Sequence, residues 1–122
     1  MKGKINVISG LNALLAYELA AMDQYFVHSQ MYLDWGLNKL YERINHATKL
    51  IERILFLEGT PNMVDRDGLV IGTDVPSMLE SDLRVEYAVG DKLKEVIALA
   101  ETEQDYVTRD MLMVLLDDTE MD

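Results

Sequence analysis

Two glutamates stand where the surrounding pattern calls for leucine. Glu18 follows Leu15 by three residues and precedes Met22 by four, with Tyr25 one turn further on. Glu86 follows Leu83 by three and precedes Leu93 by seven. Residues at these steps share one face of a helix, so each carboxylate points toward an apolar interior. Such a carboxylate needs a cation, a hydrogen-bond network or a raised pKa, because burying it unpaired is costly. The bland alternative is a frayed stripe in which both side chains lean out to water; two carboxylates at matching depth count against it. A bundle that holds two metal ions takes one Glu from each of two helices and a Glu-x-x-His from each of two others, since that spacing sets both side chains on one face.

The other half of such a set is incomplete here. Glu120 follows Leu116 by one turn, which suits an inward ligand, but the chain stops at Asp122, short of the position three residues on. His46 has Glu42 four residues before it, and the residue three before it is Arg43, not Glu. Taken alone, His46 and His28 read as ordinary hydrogen-bonded helix histidines.

The elements that must position these groups follow from composition and periodicity. A chain of 122 residues suits one domain, 1–122, and 49% hydrophobic residues suffice to fill its core. Eleven Lys+Arg against 22 Asp+Glu leave a net charge of −11, which disfavours nucleic acid as a partner and favours cations. With no Cys, any metal must be held by oxygen and imidazole. No apolar run reaches about 18 residues and the N-terminus lacks a leader pattern, so no membrane span is expected and the chain is expected to be cytoplasmic.

Apolar residues recur at helical spacing in four stretches. The first runs from about residue 5 to 33 on the stripe Ile8, Leu11, Leu15, Glu18, Met22, Tyr25, Ser29 and ends at Trp35-Gly36. The second runs from about 37 to 57 through Leu40, Ile44, Ala47, Ile51, Ile54 and Leu55, closed by Gly59. The third opens with Pro76 in its first turn and runs to about 103 on Leu79, Leu83, Glu86, Gly90, Leu93, Ile97 and Ala100. The fourth begins near Asp105. Between the second and third, residues 59–75 carry Pro61 near one end, with Pro76 just past the other, and an apolar Leu69-Val70-Ile71 that should lie along the bundle. Extended, this segment spans roughly 55 Å, enough to cross a 21-residue helix and make helices two and three parallel. Two hairpins joined by one long crossover predict an all-α, ferritin-like four-helix bundle.

Three strings sharpen this expectation. Residues 18–36 (ELAAMDQYFVHSQMYLDWG) resemble the helix-one signature of the bacterioferritins, residues 49–59 (KLIERILFLEG) the end of their helix two, and residues 105–112 (DYVTRDML) the start of their helix four. The resemblance covers essentially the whole chain. It implies that Glu18 and Glu86 are the two single-Glu iron ligands, that Tyr25 is the catalytic-site tyrosine beside a di-iron centre, and that Glu120 matches the Glu of the fourth-helix Glu-x-x-His. It further implies an iron-storage subunit with ferroxidase activity, oxidising Fe(II) with oxygen or peroxide. The implied assembly is a closed homo-oligomeric cage, a 24-mer by that resemblance, and haem b is a family cofactor.

The chain also departs from that pattern. In the family, helix two continues past the match to His46 for about eight more residues, an acidic run containing Glu-x-x-His, whereas here His46 joins straight to Ala47. His46 matches either the histidine that opens that run or the ligand histidine that closes it, and its His-Ala setting favours the ligand. The bridging Glu is absent in both cases. The haem-ligating Met falls in the same run, so no haem ligand is identifiable. About eight residues at roughly 100° each shift the helix phase by roughly 80° beyond two turns, which should expose core if the segment is truly gone. Two functions therefore compete: an iron-storage subunit with a working di-iron centre whose missing segments belong to a longer chain, and a shortened, non-catalytic structural subunit of a mixed cage. A metal-free helical module ranks third, because it has to explain Glu18 and Glu86 without a cation.

Overall fold

A computed structural model describes residues 2–31, 37–66 and 74–121. It contains α1 (Ile5–Met31), α2 (Leu37–Phe56), α3 (Val75–Thr102) and α4 (Tyr106–Glu120), with no strand among the described residues. Long-range contacts fix the helix directions. The N–H of Gly3 donates to Leu57 O at 2.9 Å while Glu18 meets Arg43, so α1 and α2 are antiparallel. Asn6 reaches Glu103 at 3.3 Å while Tyr25 meets Glu86, so α1 and α3 are antiparallel as well. Helices α2 and α3 are therefore parallel, the arrangement the long crossover was expected to serve. Residues 67–73, which include Leu69-Val70-Ile71, and residues 32–36, which include Trp35-Gly36, lie outside the described residues.

The helix ends have local causes. Asp74 caps α3 by accepting from the Ser77 N–H at 2.9 Å, the Ser77 side chain is hydrogen-bonded to the Asp74 backbone in return, and Pro76 sits in the first turn. At the end of α2 the left-handed residue is Glu58 (φ 65°), one place before the expected Gly59, whose N–H reaches back to Ile54 O at 2.9 Å. Gly59 is needed for space instead, since a Cβ there would sit 2.7 Å from Ile8 Cγ2. The same motif ends α3, with Gln104 at φ 60° and the Asp105 N–H on Ala100 O at 2.8 Å. Asp105 then caps α4 through the Thr108 N–H at 3.1 Å. Arg53 ties α2 to this turn, donating to Thr108 Oγ1 at 2.9 Å and pairing with Asp105 at 3.2 Å.

Helix α1 is long and apolar enough to cross a membrane by length and composition. Its Leu11, Leu14, Leu15 and Leu19 are buried against the other helices, however, and Glu18 lies among them. Two stripes differ from the sequence expectation. On α3, Leu79 and Leu83 are 50% and 52% exposed, and Met78 and Asp82 face inward in their place. Asp82 is accepted inside because Gln24 donates to it at 2.8 Å and His28 Nδ1 lies 3.0 Å away. On α2, Ile44 and Leu55 are exposed, and the inward face is Leu40, Arg43, Ala47, Leu50 and Ile54, at steps of three and four. The apolar lower half of α2 sets the phase, and the helix carries it straight back to Arg43. On α1, Ile8 and Met22 are only half-buried, at the flanks of the stripe.

Burial pushes the Asp105 carboxyl up, but hydrogen bonds from Thr108 and the charge of Arg53 outweigh it and hold the group below its usual value. A depressed carboxylate stabilises the fold above the unfolded value of about 4, and that contribution is lost as pH falls through the folded pKa. Asp105→Ala is expected to lower stability by about 1 kcal/mol at neutral pH. In denaturant titrations the deficit should shrink toward acid pH, and a deficit that grows on acidification contradicts this account.

Candidate metal centre

Glu18 and Glu86 are both buried in the middle of their helices, and the space between them is bridged by Arg43. Arg43 Nη1 donates to Glu18 Oε1 at 2.9 Å, and Nη2 donates to Glu86 Oε2 at 2.5 Å. On a third side Nη1 donates to Thr119 Oγ1 at 3.2 Å, whose own hydroxyl donates to Leu115 O at 2.9 Å. The guanidinium is fully buried. Burial opposes its charge, but the carboxylates of Glu18 and Glu86 more than offset that and raise its pKa above the ordinary arginine value.

The two remaining oxygens differ. Glu18 Oε2 lies 2.9 Å from His46 Nδ1 but accepts no hydrogen bond from it. Glu86 Oε1 accepts a hydrogen bond from the Tyr25 hydroxyl. Burial, and then the negative charge of Glu86, push the Tyr25 hydroxyl well above its usual pKa, so it stays a donor. Three of the four carboxylate oxygens thus accept hydrogen bonds, two from Arg43 and one from Tyr25, while Glu18 Oε2 has only the close approach of His46 Nδ1. A pair of metal ions does not fit between Glu18 and Glu86 while the guanidinium lies there.

Of the residues singled out from sequence, the structure brings Glu18, Glu86, His46 and Tyr25 together. It does not bring Glu120, which is exposed. The inward face of α4 runs Leu112, Leu115, Thr119, so the residue level with the centre is Thr119, and the expected position one turn after Leu116 falls on the solvent side. His28 is fully buried, with its Nδ1 3.0 Å from Asp82 Oδ1. Sequence reasoning missed Arg43, although its three-residue spacing to His46 was visible, and missed Asp82, whose signal was its place one turn before Glu86. A second group lies at the edge of the centre. His46 Nε2 is 3.1 Å from Asp118 Oδ2, and Glu42, one turn earlier on α2, brings a carboxylate oxygen within 4.8 Å of both. Among the described residues this trio has a spacing that suits one metal ion.

A family model described as a ferritin-like domain matches residues 8–122. The chain belongs to that ferritin-like family. It is 54% identical to a bacterial ferritin of Synechocystis sp. over all of this chain and 83% of the relative. It is 52% identical to a bacterial ferritin of Neisseria meningitidis, over all of this chain and 84% of that relative. It is 39% identical to a bacterioferritin of Brucella melitensis, over 98% of this chain and 80% of that relative. The first of these alignments has 130 positions for the 122 residues here, which leaves eight without a residue in this chain. That number equals the run that the resemblance finds missing after His46. In this ferritin-like chain α2 runs unbroken from Leu37 to Phe56, with Ile44 turned out and Arg43 turned in.

Removing one partner of a buried ion pair leaves the other uncompensated. Arg43→Met is therefore expected to cost about 3–5 kcal/mol of stability. Adding Glu18→Gln and Glu86→Gln to it should restore a large part of that loss in equilibrium unfolding. A neutral Arg43→Met chain contradicts the ion-pair assignment.

Proposed function

We propose that this chain is an iron-storage subunit of a closed, multi-subunit assembly. The family membership over residues 8–122 and the relatives named bacterial ferritin support the reading, and the exposed apolar surface of the bundle supports the assembly. Leu79, Leu83 and Tyr87 form an exposed stripe along α3, and Met31 is exposed at the end of α1. In this reading the whole chain 1–122 acts as one ferritin-like domain, many copies form a cage, and the location is cytoplasmic. Light scattering at micromolar concentration should report a large closed particle; a monomer overturns the proposal.

The role within the assembly turns on Arg43. As metal ligands, Glu18, Glu86 and His46 converge and Tyr25 stands beside them, but the added carboxylates that would bridge two ions are replaced by a guanidinium and by Thr119. That favours the shell-forming, non-catalytic subunit over the ferroxidase. Iron is then cargo, and among the described residues the rim trio of Glu42, His46 and Asp118 offers it ligands, with Glu42 also lying 3.4 Å from Arg43 Nη2. Fe(II) oxidation in air should be slow, with no rapid phase saturating at two irons per subunit, and Glu18→Ala should barely change it. A rapid two-iron phase abolished by Glu18→Ala would restore the ferroxidase reading.

A further inference from the structure

Arg43 and His46 are three residues apart on α2 and face the same pair of glutamates, the spacing at which this class of bundle uses Glu and His on a metal pair. At this position the sign of the charge is therefore reversed. A guanidinium is planar, always charged and able to donate to several acceptors at once, so one residue can satisfy two carboxylates and a hydroxyl. It neutralises much of the charge that a divalent ion would neutralise, with directed donors and with no exchange with solvent. An incoming cation would meet a like charge at close range and would have to displace hydrogen bonds on both glutamates.

We propose that Arg43 is a tethered, permanent stand-in for the metal, which lets the bundle keep Glu18 and Glu86 buried without divalent ions and closes its interior to them. The inference deepens the shell-subunit reading and rests on it for the origin of the two glutamates, but it concerns a different measurement. It also names the determinant: changing the charge at one position converts a sealed interior into a ligand set of carboxylates and imidazole.

The test uses Co(II), whose visible absorption reports coordination and whose stoichiometry is counted by calorimetry. The chain carries Asp118→Asn to silence the rim trio. With Arg43 present, no Co(II) binding sensitive to Glu86→Gln is expected. Arg43→Glu should bind Co(II) at least about tenfold more tightly, because an opposite charge replaces a like one in a buried site, and further addition of Glu86→Gln should abolish the gain. Arg43→Gln, which removes the cation without adding a third carboxylate, should show a smaller gain and serves if Arg43→Glu does not fold. Co(II) binding by the Arg43 chain that disappears with Glu86→Gln overturns the proposal. So does the absence of any gain in folded Arg43→Glu or Arg43→Gln. Particle size is measured in parallel. A cage whose subunits bind Co(II) between Glu18 and Glu86 with Arg43 present sinks only the Arg43 proposal, and a monomer that excludes Co(II) from that place sinks only the storage reading.

Discussion

Glu18, Arg43 and Glu86 come from three different helices and meet in full burial, and much of the bundle's geometry follows from that contact. Two carboxylates in an apolar interior need compensation, and here a positive charge lies between them. Arg43 supplies it only if α2 presents that residue inward, which it does because Ala47, Leu50 and Ile54 set the phase four, seven and eleven residues later. Tyr25 donates to Glu86, Thr119 accepts from Arg43, and His46 Nδ1 closes on Glu18 Oε2 at 2.9 Å without a hydrogen bond. Displacing one helix by a turn would strand several buried polar atoms together, so the network specifies the packing more than it adds net stability.

The bundle is divided along its length. Near the start of α1 and the end of α2 the contacts are apolar, with Val7, Leu11, Leu14, Leu50, Ile54 and Leu57 buried together. Beyond Glu18 the interior turns polar, with the Arg43 network and a second one in which Gln24 and His28 meet Asp82. The apolar half carries the hydrophobic driving force, roughly 25 cal/mol for each Å² removed from water. The polar half converts that into one register, because its donors and acceptors are matched in one arrangement.

Periodicity made the four helices, the parallel pair α2 and α3, and the burial of Glu18 and Glu86 readable, since long amphipathic stretches and misplaced charges are strong signals. It failed where apolarity and burial part company. On α3 the reading preferred Leu83 to its neighbour Asp82, because a sequence does not display the Gln24 and His28 that make Asp82 acceptable inside. On α2 it followed Ile44 and passed over Arg43, because an arginine is ordinarily a surface residue. On α4 it counted one turn from Leu116, which is only half-buried, when the inward line runs through Leu115 to Thr119. The misses on α2, α3 and α4 share a cause: partners far apart in the chain decide the phase.

Arg53 and Arg43 act on α4 as two teeth of one comb. They lie ten residues apart on α2, about 15 Å along its axis. The α4 residues they engage, Thr108 and Thr119, lie eleven apart, about 16 Å. Sliding α4 along α2 would disengage both teeth at the same instant, so the two helical hairpins resist shear as a geared pair does.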